Sequence, residues 1–164
     1  MASIAEHANI DYVLYEEDFD KVPDAGKIAE YLDEDAKITH VAMVHSETTS
    51  GILNDIESVA KAVKERGKTF IVDAMSSFGG VDIQVGELGI DFIISSANKC
   101  IQGVPGFSFI ICRRDKLMES KGKARSLSLV SLRSVGNHGE GWKVEIYITD
   151  PCVLAFRQAL RELE

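Results

Sequence analysis

Two side chains in this sequence carry a recognisable chemistry when taken together. Lys99 closes the run SSANK, and Asp73 closes the apolar run FIVD, 26 residues earlier. A lysine beside a buried strand end can be desolvated, which makes its neutral amine available for Schiff-base formation. Alone, it could equally pack its stem and hold its ammonium in water. An acid at a strand end, taken alone, could simply cap a loop. Together they form the pair that pyridoxal 5′-phosphate (PLP) chemistry requires: an amine to hold the aldehyde and an acid to keep the pyridine nitrogen protonated. A third polar group, His45-Ser46-Glu47-Thr48-Thr49-Ser50-Gly51, follows another apolar run. His45 reads as a packed, hydrogen-bonded histidine rather than a catalytic base.

The elements that must position these groups can be read from hydrophobic patterning. Ile38 to His45, Thr69 to Ala74, Asp91 to Ala97 and Phe107 to Arg114 are short apolar runs expected to form strands. Asp24 is a candidate cap for a helix through Ile28 and Leu32. Asn54 or Asp55 can cap a second helix carrying Ile56, Val59, Ala60 and Val63, with Gly67 as its stop. DKLMESKG suggests a short helix, and PCVLAFRQALRELE an amphipathic one at the end of the sequence. Continuous apolar strands alternating with helices imply an α/β fold, with a mostly parallel sheet flanked by helices. Ligands of such sheets sit beyond the carboxyl ends of the strands, where all three polar groups fall. The glycines of SSFGG and IQGVPGF also follow strand ends, where backbone turns tightly or approaches a ligand.

Composition narrows the rest. The chain has 164 residues, 27% of them charged, with 26 acids against 18 bases and a formal charge of -8. That balance argues against a general nucleic-acid binder. No apolar run approaches the roughly 20 residues of a membrane span, and no signal peptide is visible, so a cytoplasmic protein is expected. Cys100, Cys112 and Cys152 suit plain thiols rather than a disulfide framework, and no metal site is expected. G-x-G-x-x-G and Walker A loops are absent.

HSETTSGILNDI, IVDAMSSFGGVDI and ELGIDFIISSANKCIQGVPGFSFIICRR resemble the 2-aminoethylphosphonate–pyruvate transaminases. These belong to the class V branch of fold-type-I PLP enzymes. The resemblance runs from Ser3 to Ser128 and resumes at Val153, and ANKCIQGVPGF is its most specific stretch. It implies part of the large domain of a fold-type-I PLP-dependent transferase, in a homodimer. It also implies transfer of the amino group of 2-aminoethylphosphonate to pyruvate, giving phosphonoacetaldehyde and alanine. By the same resemblance, Lys99 is the catalytic, cofactor-bonding lysine and Asp73 pairs with the pyridine nitrogen. Thr48 lies near the ring's phenolic oxygen and Asn98 near the cofactor phosphate. Glu47 and Ser96 are neighbours without an implied role.

The resemblance also implies missing parts. Relatives carry an N-terminal stretch before the position of Ser3, with a phosphate-gripping loop and an aromatic stacking residue. They also carry a C-terminal small domain with a substrate-binding arginine. Residues 130–152 depart differently. Relatives have a segment like DLYDQW…GGRWRFTSPTH there. Ser131 to Gly136 can be encoded TCT CTA CGA TCA GTG GGA, and dropping the first base gives LYDQW. Trp142 to Cys152 can be encoded so that the same shift gives GRWRFTSPTH. A segment translated out of frame is therefore expected over 130–152, with residues 153–164 beginning a family-like helix.

Three readings follow: a truncated PLP-dependent aminotransferase, inactive alone; a non-catalytic remnant that survives by self-association; and a small flavodoxin-like regulatory domain. ANKCIQGVPGF disfavours the third, since a regulatory domain has no evident need for it.

Overall fold

The structure is a computed structural model that describes residues 1–123, 142–146 and 150–162. Its helices are α1 (Ala2–His7), α2 (Ala25–Glu34), α3 (Ile56–Glu65), α4 (Arg114–Glu119) and α5 (Asp150–Glu162). Its strands are β1 (His40–Val44), β2 (Thr69–Asp73), β3 (Phe92–Ser96), β4 (Ser108–Arg113) and β5 (Trp142–Ile146). They form one sheet in the order β1-β2-β3-β4-β5. The first three are parallel neighbours, while β4 is antiparallel to both β3 and β5. Four strands thus point one way and β4 alone reverses, so the expected mostly parallel α/β sheet is present.

Local chemistry explains the helix ends. The Asp24 carboxylate accepts from the Gly26 and Lys27 amides at 2.6 and 3.3 Å and starts α2. Asp55, rather than Asn54, caps α3, accepting from the Ser58 amide at 3.0 Å. Such caps contribute about 1 kcal/mol each. Past α3, Gly67 turns with φ 65°, and its amide reaches the Lys64 carbonyl at 3.0 Å. Positive φ is open to glycine without a Cβ clash.

One sheet face is built as a core. The register aligns Val41 with Phe70 and Met43 with Val72, and Val72 with Ile93. Since alternate residues share a face, these side chains line one side of the sheet. They pack with Ile28 and Leu32 of α2 and with Ile56, Val59, Ala60 and Val63 of α3. Each such aliphatic side chain contributes about 1.5–3 kcal/mol when fully buried. A second cluster joins Ala97, Ile101, Phe107 and Phe109 to Phe156 and Ala159 of α5. Phe156 meets Phe107 edge-on at 5.0 Å and Phe109 at 5.3 Å. This cluster flanks Lys99 on both sides in sequence.

Two elements are additional to the sequence reading. Helix α1 has no side-chain cap and no buried residue, so it offers no pattern to read. Strand β5 falls within 130–152; the remainder of that segment, apart from the backbone of 150–152, lies outside the described residues. Among the described residues, no helix is long and apolar enough to cross a membrane.

Candidate functional site

The three polar groups meet at the carboxyl edge of β1, β2 and β3. Val44 pairs with Asp73 and Asp73 with Ile94, so the loops beginning at His45, Ala74 and Ala97 leave the sheet side by side. Backbone bonds hold them there: His45 N–H to the Asp73 carbonyl at 2.8 Å, and Ala74 N–H to the Ile94 carbonyl at 2.9 Å.

Side chains then tie loop to loop. The hydroxyls of Thr48 and Ser76 are 2.7 Å apart. The carbonyl of Ser76 accepts from the Cys100 thiol at 3.4 Å, so Thr48 is linked through Ser76 to the residue after Lys99. Deeper, His45 Nδ1 and Ser77 Oγ are 2.9 Å apart, with both residues buried. Burial holds the His45 imidazole below its ordinary pKa, as expected for a packed, neutral histidine. Glu47 turns inward on its own loop, accepting from the Thr49 amide and hydroxyl at 3.3 and 3.0 Å.

The turn carrying Lys99 is fixed by close packing. Ala97 and Ile101 are fully buried on either side of it, and the Gly103 amide closes it onto the Ala97 carbonyl at 2.7 Å. The loop SSFGG presses against it. A Cβ at Gly80 would stand 2.7 Å from Cys100 Sγ, and one at Gly79 would stand 2.9 Å from Ile101 Cγ1. A Cβ at Gly103 would meet the Ala97 carbonyl at 2.8 Å. These glycines therefore permit protein–protein approach around Lys99, where the sequence left open a ligand as the object of that approach.

Each expected site residue falls on this edge. Asp73 is half-buried, and its Oδ1 accepts from the Met75 amide at 3.0 Å; its Oδ2 has no partner among the described residues. Asn98 and Lys99 are exposed, and their side chains make no hydrogen bond or ion pair with described residues. The desolvation that would free the lysine amine is thus not supplied by the described residues. Ser96 stands out. Its Oγ is the single buried side-chain polar atom without a hydrogen-bond partner among the described residues. A buried hydroxyl normally finds a partner, because leaving it unmet costs about 1–3 kcal/mol. An unmet hydroxyl, a free carboxylate oxygen and a free amine at one strand edge fit a polar ligand with acceptor, donor and carbonyl functions. That is the chemistry of PLP. Among the described residues, no group of His, Cys, Asp and Glu could hold a metal ion.

Ser96, Ser76 and Ser77 are the groups whose roles the sequence did not reveal. The SxxK spacing of Ser96 and Lys99 places both beyond the same strand end, but nothing in the spacing shows that the hydroxyl is unmet.

The fold is shared with solved aminotransferases. The chain superposes on a ureidoglycine-glyoxylate aminotransferase from Bacillus subtilis with a TM-score of 0.81 at 24% identity, covering 99% of this chain and 42% of that one. It superposes on an aspartate aminotransferase of subgroup IV from Thermus thermophilus with a TM-score of 0.79 at 23% identity, covering 98% and 44%. The fold is therefore that of these fold-type-I aminotransferases, of which this chain spans less than half. The family is more specific: the Aminotransferase class-V model matches residues 1–150, and the chain belongs to that family. PLP is the cofactor of the family.

Curated relatives are closer still. A protein of Bacteroides fragilis named 2-aminoethylphosphonate–pyruvate transaminase is 52% identical over 168 aligned positions, covering 99% of this chain and 45% of the relative. Its namesake from Klebsiella pneumoniae is 54% identical over 147, covering 86% and 39%. One from Bacillus cereus is 47% identical over 169, covering 100% and 45%. The chain spans less than half the length of each.

Proposed function

We propose that this chain carries the lysine-bearing half of the site of an enzyme that transfers the amino group of 2-aminoethylphosphonate to pyruvate. The observation that carries the reading is the convergence of Lys99, Asp73 and the unmet Ser96 hydroxyl at one strand edge. The roughly 50% identity to proteins named for that reaction supports the substrate pair.

When bound, PLP supplies the electron sink for a carbanion at the amine-bearing carbon. Lys99 would hold the cofactor's aldehyde through its Nζ amine, and the same nitrogen would serve as the proton carrier at the substrate carbon. Asp73 holds a proton at the pyridine nitrogen through its free carboxylate oxygen. The Met75 amide fixes the other oxygen and so the carboxylate plane. Thr48, steadied by Ser76, would hold the ring's phenolic oxygen, and Asn98 the phosphate. The homodimer expected of the family would complete such a site from a second subunit.

A second reading is favoured by exposed apolar side chains. Ile4 is 73% exposed and Phe19 86%. On this reading the chain is a self-associating, non-catalytic remnant. Incubating the chain with PLP, 2-aminoethylphosphonate and pyruvate, and measuring alanine, separates the two. Alanine that disappears in Lys99→Ala supports the transaminase. Lysine-dependent cofactor capture without alanine supports the remnant.

We also infer that residues 130–152 are read out of frame between compensating single-base changes. Sequencing the encoding DNA tests this: codons that cannot yield the family segment in the shifted frame overturn it.

A further inference from the structure

The opposite end of the sheet holds a second polar recess, of about 410 Å³. Its floor is formed by His40, Thr69 and Phe92, at or next to the first residues of three neighbouring strands. The register pairs His40 with Thr69 and Ile71 with Phe92, so all three lie on the sheet face opposite the α2–α3 core. One wall is the turn Arg66–Lys68 between α3 and β2. The other is α4 with the turn after it.

The charge of this recess runs against that of the chain. Arg66, Lys68, Lys116 and Lys123 line it against the single carboxylate of Glu119, whereas acids outnumber bases overall by 26 to 18. Part of the positive charge is answered. Arg66 is held by Asp33, through Nε at 2.8 Å and Nη2 at 2.7 Å. Lys116 donates to Glu119 at 3.0 Å. Lys68 meets the Ala36 carbonyl alone, at 3.2 Å, and the Lys123 ammonium has no partner among the described residues. Among the described residues, four cations thus face two carboxylates, leaving two positive charges unanswered.

Nearby, Asp91 does not draw on them, being met by Lys64 at 2.8 Å and Arg113 at 3.2 Å. His40 adds polar capacity without charge. Partial burial, then the Lys116 and Lys123 ammoniums, hold its imidazole below the ordinary pKa. Its Nδ1 is engaged with the Thr39 hydroxyl at 2.7 Å, which leaves Nε2 for a ligand.

We propose that this recess binds a phosphoryl dianion, with Lys68 and Lys123 as its charged contacts and Lys116 and His40 as polar support. Two unanswered cations match a doubly charged anion. The volume lies within the roughly 300–1,000 Å³ of small-molecule sites, so a phosphomonoester fits as well as inorganic phosphate. The site is independent of Lys99 and lies at the other end of the strands.

The test is amide NMR on the ¹⁵N-labelled chain, titrated with inorganic phosphate and with glycerol phosphate. Sodium chloride at matched ionic strength controls for screening. Saturable shifts confined to residues 66–69 and 116–123, absent with chloride, are expected. Tighter binding of glycerol phosphate than of phosphate would identify the ester as the better ligand; equal binding would identify the phosphoryl group as sufficient. The Lys68→Ser/Lys123→Ser double variant is expected to bind roughly tenfold more weakly, and Glu119→Gln a few-fold more tightly. These side chains lie at the surface, so unchanged spectra elsewhere will report an intact fold. An equal response to chloride, shifts centred on residues 97–103, or unchanged affinity in the double variant would overturn the proposal.

Discussion

Asp91 and Asp73 lie at opposite ends of the same parallel sheet and have opposite surroundings. Asp91, just before β3, is fully buried and fully met. Its Oδ2 accepts from the Phe70 amide and from Lys64, both at 2.8 Å, and its Oδ1 accepts from Arg113 at 3.2 Å. Asp73, at the end of β2, is half-buried and met by one amide, with no cation beside it. A carboxylate whose bonds are all satisfied within the fold serves the fold. One left with an open oxygen, at the same end of the sheet as the unmet Ser96 hydroxyl, is available to a ligand. Asp91 is thus closed off within the fold, and the carboxylate at the other end of the strands is left chemically open.

The largest expected effect breaks this contrast directly. Asp91→Ala strands Lys64 and the Phe70 amide and takes one of two carboxylates from Arg113, and is expected to cost about 3 kcal/mol or more in urea denaturation. Asp73→Ala loses one turn hydrogen bond and is expected to cost about 1 kcal/mol, while weakening cofactor capture. Equal stability losses would erase the distinction between the two ends.

Next comes the packing around Lys99. Gly80→Ala places a Cβ against Cys100 Sγ and is expected to cost about 1–3 kcal/mol. Cys100→Ala in the same chain removes the sulfur and should return part of that loss. A double-mutant cycle in urea reads the coupling, and additive losses would show that the contact does not fix the turn.

A smaller effect concerns pH. The His45 imidazole is held below the value of 6.5 it has when unfolded. The unfolded chain therefore takes up the proton first, so stability is full above about pH 6.5 and falls as pH drops below it. His40 contributes with the same sign. His45→Gln should therefore flatten the acid limb of a stability–pH curve only in part, and an unaltered limb would show that His45 titrates as it does in the unfolded chain. The smallest effect is that of Thr48→Ala, about 0.5 kcal/mol or less, because its bond to Ser76 is exposed.

Much of this was legible in the residues. Apolar runs located β1 to β4 to within two residues, because a buried strand needs a short unbroken run. The Asp24 cap and the Gly67 stop marked helix ends by chemistry confined to a few neighbours. Helix α1, without a cap or buried face, left no such mark. The backbone of β5 pairs with β4, and its sequence WKVEI alternates as a strand should. No strand is expected over 130–152, a segment expected to be out of frame, yet strand pairing needs only backbone groups and alternation. At the site, Lys99 and Asp73 stood out by residue type and position. The links that hold their edge together did not: Thr48–Ser76, His45–Ser77 and Cys100–Ser76 join residues 24 to 32 apart in sequence. No local pattern specifies which hydroxyl meets which partner, or that Ser96 meets none.

We propose that the open carboxyl edge holds PLP through Lys99. Incubating the chain with PLP, reducing with borohydride and mapping the peptides tests it most directly. One dominant adduct on the Lys99 nitrogen is expected, weakened by Asp73→Ala and absent in Lys99→Ala. Adducts spread over the surface lysines, with Lys99 no more labelled than Lys121, would contradict it.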